Sequence, residues 1–578
     1  MRHPHPLPRL ALIGASALTT ALLLTACVQT APGDHADLSR PSPIAPIATE
    51  QAAEQANEQA ARETAVAARR ASESRMQLAK GLPSPHLMAM ESLQTADYRH
   101  VREPADRENY AHFDENPLQR VAENPVSTFS IDVDTASYAN VRRFLNDGRL
   151  PPKDAVRVEE LINYFDYADA GPDGPNTPFA VHTQVGPTPW NANTRLLRIG
   201  IKAWEPPREQ RPAANLVFLV DVSGSMNAPD KLPLLKRSLR LLTRQLRADD
   251  RVSLVVYAGA SGVVLAPTPG DKTATIGAAL ENLHAGGSTN GASGLRLAYD
   301  QAREAYIEGG INRVLIATDG DFNVGTVDHD ALIDLIERER RGGIALTTLG
   351  FGSGNYNDHL MEQLADKGDG NHAYIDSLME ARKVLVDELG ATLQTVARDV
   401  KIQIEFNPAR VAEYRLIGYQ NRLLAREDFN NDQVDAGDIG AGHSVTALYE
   451  LTLTDATPAI DPLRYVDRKP APQADTSNEL AHLKLRYKPV GADTSVLLSR
   501  AIDANAIASD LAATDDAFRF AAAVAAFGER LRGGRYLNGL DYAAMIDLAS
   551  NALGDRDSVQ RAGLVELIRL SAALDGSS

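Results

Sequence analysis

The apolar run Asn215-Leu216-Val217-Phe218-Leu219-Val220 ends in Asp221-Val222-Ser223-Gly224-Ser225 and gives way to an amphipathic segment, Lys231 to Arg247. A strand apolar on both faces, feeding through a polar loop into a helix, predicts a parallel sheet covered by helices. Its ligand edge lies at the carboxyl end of the strand. The loop offers one carboxylate and two hydroxyls at alternate positions. These are hard oxygen donors, suited to Mg²⁺ or Mn²⁺ and poorly suited to zinc. Taken singly, Ser and Asp at such places also cap helices and close turns.

The pattern repeats from Ala214 to about Ala397. Candidate strands are Asn215–Val220, Arg251–Tyr257, Gly262–Leu265, Val314–Thr318, Ile344–Gly350 and His372–Ile375. Helical stretches fall between them, among them Thr273–Leu283, Ala292–Ala305, His329–Arg341 and Asp358–Ala365, and Leu378–Val396 reads as one closing helix. Strand signals also stand on either side: Ser127–Asp134, Phe179–Val185 and Arg195–Ala203 before, Val400–Phe406, Ala412–Gly418, Ser444–Thr452 and Glu479–Tyr487 after. The α/β segment is therefore expected to interrupt a β-sandwich built from both flanks. Ala517 to Leu574 is Ala-rich and reads as packed helices. At 578 residues the chain is long enough for several domains, and the expected class is multidomain α/β.

Two further motifs follow the first. Gly286-Gly287-Ser288-Thr289-Asn290 is a small polar loop ahead of a helix, and Arg313-Val314-Leu315-Ile316-Ala317-Thr318-Asp319-Gly320 is a second buried strand ending in an acid. Asp-x-Ser-x-Ser, a Thr in a Gly-rich loop and a strand-terminal Thr-Asp-Gly together resemble the von Willebrand factor type A (VWA) domain and its metal-ion-dependent adhesion site. The resemblance implies a Rossmann-like domain in which Ser223 and Ser225 bind Mg²⁺ or Mn²⁺ directly and Thr289 binds directly or through water. By the same resemblance, Asp221 and Asp319 are expected to hold coordinated waters. It also implies a protein ligand that offers a Glu or Asp carboxylate to the metal, and a last helix that shifts when the metal shell rearranges. Asp321 and Asn323 either support that shell or close a turn. The segments Asn124–Tyr167 and Leu483–Tyr536 are similar to the regions that bracket this domain in bacterial VWA lipoproteins of the YfbK type.

The amino terminus fits that group. Arg2 and Arg9 precede the apolar stretch Leu10 to Leu24, too short to span a bilayer comfortably, and Leu24-Thr25-Ala26-Cys27 looks like a lipobox whose cysteine receives lipid. Cys27 is the chain's one cysteine, and Val28 rather than an acid follows it, which predicts sorting to the outer membrane of a bacterial envelope. The Pro- and Ala-rich sequence beyond it, with the Ala/Glu/Gln/Arg run Glu50 to Lys80, lacks an apolar stripe and reads as a tether. The expected organisation is signal peptide 1–26, tether 27–118, an α+β amino-terminal region 119–210, the VWA domain 211–397, a β-rich region 398–490 and a helical region 491–578.

Other chemistry is less well supported. A formal charge of −17 argues against nucleic acid as a partner, and the 13 histidines show no ligand spacing. No Gly-x-Ser-x-Gly elbow, Walker loop or His-Glu-x-x-His occurs. Asp132-Val133-Asp134-Thr135 after a strand invites comparison with aspartyl-phosphate phosphatases, but the hydroxyl residue is adjacent to the second Asp rather than two beyond it. Asp428 to Asp438 has the acidic spacing of a calcium loop without the glycine and closing Glu of an EF-hand, so a solvated turn is the better reading. A non-catalytic adhesion protein is the expected class, with an envelope phosphatase or an assembly factor working with an ATPase as rivals.

Overall fold

The computed structural model describes residues 108–287, 291–320, 329–461, 463, 478–554 and 558–576. Cys27, the lipobox, the tether up to residue 107, Thr289, Asp321 and Asn323 lie outside them.

In chain order, β1 (Gln119–Arg120) and β2 (Val126–Ser130) precede the helices Ala136–Asn146 and Val158–Asn163, and the hairpin β3 (Phe179–Thr188) and β4 (Asn191–Ala203) follows. The α/β segment then supplies β5 (Ala214–Asp221), β6 (Arg251–Tyr257), β7 (Ser261–Pro269), β8 (Ile311–Thr318), β9 (Ala345–Phe351) and β10 (His372–Ile375). These form one sheet in the order β10-β9-β8-β5-β6-β7, parallel except for the antiparallel edge strand β7. Every residue of β5 is buried. Leu216, Phe218 and Val220 face Leu235, Leu239 and Leu242 of the helix Leu232–Thr243 on one side of the sheet. Val217 and Leu219 face Leu295, Ala298 and Tyr299 of the helix Gly291–Glu304 on the other. A strand sandwiched between two helical layers has no wet face, which is why its sequence is apolar without alternation.

The remaining strands are β11 (Thr395–Phe406), β12 (Val411–Ile417), β13 (Ile439–Gly440), β14 (Ser444–Leu453), β15 (Glu479–Pro489) and β16 (Val496–Asp503). They pair across the insertion. One sheet runs β1-β12-β14-β4-β3, the other β13-β11-β15-β16 with β2 on β11, in registers such as Ala447 opposite Ile199 and Ile402 opposite Phe129. Both inner faces fill one core, with Leu197, Ile199, Tyr449, Ile402, Ile404 and Leu483 fully buried. The α/β domain thus leaves the sandwich after β4 and returns to it at β11. The carboxyl-terminal helices Asp516–Arg532, Tyr542–Ser550 and Ser558–Leu574 pack with the amino-terminal ones in a separate core around Phe520, Phe527, Val158, Leu161 and Phe165.

Three expectations need correction. The closing helix is not continuous: Leu378–Arg382 is α-helical, Lys383–Asp387 forms a π turn closed by the Glu388 amide on the Lys383 carbonyl at 2.8 Å, Leu389–Leu393 resumes, and Thr395 already belongs to β11. A one-residue insertion in a helix leaves the apolar spacing nearly unchanged, so periodicity does not register it. The edge strand β16 was not anticipated, because most of its residues are exposed and carry no alternation. Finally, residues 108–118 are not tether. Glu108 bonds Arg143 at 2.8 Å and the Gly354 amide at 2.8 Å, and Asn116 donates to the carbonyls of Leu416 and Gly418.

Where the α/β domain meets its flanks, the contact is ionic and buried. Arg422 reaches Asp132 at 3.2 Å, Glu362 at 3.0 Å and Asp366 at 2.6 Å, while Asp134 accepts from the His372 amide at 2.7 Å. Arg142 binds Asp376 at 2.5 Å and Glu380 at 2.7 Å, pinning the start of the broken helix to the amino-terminal region. His443 lines a cavity of about 160 Å³ beside the π turn, together with Lys202, Asp166, Glu205, Asp387 and Glu388. Its Nδ1 is buried and has no hydrogen-bond partner among the described residues. Burial, with the charges of Lys383 and Lys202, pushes the imidazole down from 6.5 to about 3. Because the folded value lies below the unfolded one, the stability it confers is complete above pH 6.5 and is lost as pH falls toward 3. Wild type is expected to lose about 2 kcal/mol more than His443→Asn between pH 7.5 and pH 5 in urea unfolding. Equal losses in the two proteins would show that His443 does not charge on unfolding.

Candidate metal site

The site lies where β5 and β8 end. These strands are parallel neighbours with Val220 opposite Ala317, so Asp221 and Thr318 reach the sheet edge together and Asp319 follows one residue on. Asp221 has no exposed surface and its carboxylate is fixed from three chain segments. One oxygen accepts from the Ser223 amide at 2.8 Å; the other accepts from the Tyr257 hydroxyl at 3.1 Å and the Thr318 hydroxyl at 2.9 Å. Burial pushes this carboxyl up to about 6; hydrogen bonds from Ser223 oppose that and the charge of Asp319 adds to it. An ionised Asp221 is therefore held at a cost that a bound cation would relieve.

Ser223 is buried and Ser225 exposed, with their hydroxyl oxygens 3.0 Å apart. Adjacent ligands on an octahedral Mg²⁺ with bonds of ~2.0–2.1 Å stand about 2.9 Å apart, so the pair is spaced to share one ion. The Gly-rich loop is tied to the same place: the Gly286 amide donates to the Val222 carbonyl at 2.7 Å and the Gly224 amide to the Gly287 carbonyl at 3.1 Å. Four of the five anticipated donors, Asp221, Ser223, Ser225 and Asp319, thus gather at one edge. The fifth, Thr289, is two residues beyond the described part of that loop. No group of three or more His, Cys, Asp or Glu able to hold a metal occurs among the described residues, so a cation here depends on hydroxyl and water ligands. The donor chemistry suits Mg²⁺ or Mn²⁺.

Two participants carry no signal in the sequence. Tyr257 ends an apolar strand and looks like an ordinary strand residue, whereas Thr318 already belongs to the strand-terminal Thr-Asp-Gly motif. Lys231 looks like a solvated lysine before a helix, yet it is buried, with Nζ 2.9 Å from Asp319 and 3.0 Å from the Asn355 side chain. The alternative sites are occupied by the protein's own groups. Asp132 and Asp134 are each 3% exposed, and an oxygen of Asp132 also accepts from the Asp134 amide. In the Asp428–Asp438 loop, Asp428 accepts from the Ala425 amide, Asp432 from the Ser495 amide and Asp438 from the Asp399 amide, while Asp435 pairs with Arg340.

A parallel sheet with these oxygen donors at its carboxyl edge is the architecture of the VWA class, and residues 215–388 match the family described as "von Willebrand factor type A domain". Residues 104–198 match "von Willebrand factor" and 391–574 match "Uncharacterized protein YfbK, C-terminal". The chain is 47% identical over 479 residues to "Uncharacterized protein YfbK" of Escherichia coli (strain K12), covering 82% of each chain. It therefore belongs to the YfbK family of VWA proteins. It is also 23% identical over 278 residues to inter-alpha-trypsin inhibitor heavy chain H3 of Pongo abelii, across 44% of this chain and 30% of that one. Among solved structures, a von Willebrand factor type A protein from Catenulispora acidiphila aligns at 15% identity and a TM-score of 0.39, covering 70% of this chain and 91% of that one. A VWA domain implies protein-interaction or adhesion-type function.

Proposed function

We propose that this chain is a lipid-anchored protein of the bacterial envelope that binds a protein ligand through a divalent cation held by Asp221, Ser223, Ser225, Thr289 and Asp319. The observation that supports this reading most is the convergence of two strand-end carboxylates and two hydroxyls, laced by the Gly286-Gly287 backbone, at the ligand edge of a parallel sheet. The bound ion would supply a Lewis-acidic position for a Glu or Asp carboxylate of the partner. The protein's own residues orient that position: Tyr257 and Thr318 fix Asp221, and the Ser223 amide fixes its second oxygen. The arrangement calls for binding and for no turnover. The Cys27 lipobox supports anchoring, and no helix among the described residues is long and apolar enough to cross a membrane.

The test is co-purification from detergent-solubilised envelope at equal bait levels, with Mg²⁺ or EDTA and with wild type or Asp221→Ala as bait. A partner recovered only by wild type with Mg²⁺ is expected; a partner retained equally in all conditions removes the metal mechanism. Fractionating the same cells reads the anchor separately: Cys27→Ser should move the chain from the membrane to the soluble fraction, and unchanged membrane retention removes that part.

A further inference from the structure

Lys231 is held by a purpose-shaped trough. Its aliphatic stem lies against Gly352, whose backbone adopts φ +73°, and a Cβ there would stand 2.3 to 2.8 Å from three Lys231 carbons. Only a residue without a side chain lets the stem pass, and the ammonium then ends between Asp319 and Asn355. Lys231 is 7% exposed and Asp319 is fully buried, so the pair sits where water screens it poorly.

The charge balance at the edge follows. Among the described residues, Asp221 and Asp319 bring two negative charges and Lys231 returns one positive charge. With a divalent cation present, two carboxylates alone would make a neutral assembly; with Lys231 it is net positive. We infer that Lys231 is a tethered counter-cation of the metal site. It balances Asp319 when the site is metal-free, lowers the affinity for the divalent ion, and keeps the loaded site cationic, so that an anionic ligand is preferred over a neutral one. This rests on the metal reading above and adds a residue that sets both affinity and ligand charge.

The test compares full-length wild type with Lys231→Met in detergent, using Mn²⁺ alone as probe. Mn²⁺ affinity is measured by titration calorimetry, and thermal unfolding is followed in EDTA and in Mn²⁺. Lys231→Met is expected to bind Mn²⁺ about tenfold more tightly or better, to unfold at lower temperature in EDTA, and to regain the difference in Mn²⁺. Lys231→Gln, which keeps a hydrogen-bond donor for Asp319 but loses the charge, should show the same tightening if the Met variant does not fold. Wild type that binds Mn²⁺ while both variants bind it equally or more weakly overturns the counter-cation role and leaves the metal site standing. Failure of wild type and both variants to take up Mn²⁺ overturns the metal reading itself, and the counter-cation role with it.

Discussion

Asp221→Asn is expected to weaken Mn²⁺ binding by about 10- to 100-fold, the usual cost of losing a carboxylate that supports a metal from behind its direct ligands. The same substitution should leave metal-free stability unchanged or slightly higher. The carboxyl is fully buried at the sheet edge, its ionisation is disfavoured by burial, and Asp319 lies close enough to add repulsion. An amide at this position keeps one oxygen for the hydroxyls of Tyr257 and Thr318 and removes the charge, while the Ser223 amide loses its acceptor, which offsets part of that gain. Loss of metal uptake without loss of stability separates a binding role from a structural one. Calorimetric titration together with thermal unfolding in EDTA checks both halves. Unchanged Mn²⁺ affinity, or a large loss of metal-free stability, would count against Asp221 as part of a metal site.

The second large effect is at the junction. Arg422→Leu is expected to destabilise the chain by about 3–5 kcal/mol, because it strips the cation from buried carboxylates and leaves them uncompensated. Asp132, Glu362 and Asp366 all lie within 3.2 Å of the guanidinium. Burial already pushes Glu362 up to about 8 and Asp134 well above the usual carboxylate range, with Asp132 adding repulsion at Asp134. Acids whose folded values are raised favour the folded state when protonated, so their contribution is present at low pH and lost as pH rises through the folded value. The destabilisation should therefore be larger at pH 8 than at pH 5.5. Urea unfolding at the two values decides it, and a loss below about 1 kcal/mol at both would show that the junction does not depend on this cation.

Much of this molecule was readable before folding. The Val217–Val220 run and its partner Val314–Thr318 announce buried parallel strands, since a strand covered on both faces must be apolar at every position. Asp221, Ser223, Ser225 and Asp319 were legible as candidates because they end β5 or directly follow β5 and β8, where chain order alone specifies the position relative to the sheet. The interruption of the sandwich was also readable, as strand signals on both sides of the α/β segment. Less of the detail was. The π turn at Lys383–Asp387 changes helix register by one residue and hides within the same apolar spacing. Strand β16 is exposed over most of its length, so it lacks the pattern that marks half-buried strands.

The linear order of residues specified the fold class and pointed to the candidate oxygen donors, because both follow from local periodicity and side-chain chemistry. Tertiary folding alone decided that Lys231 stands on Asp319, that Arg422 collects Asp132, Glu362 and Asp366 from two regions, and that Asp132 and Asp134 are spent inside the protein. Those roles depend on which distant segments are buried together, and a charge acquires its meaning only from the partner and the dielectric that surround it.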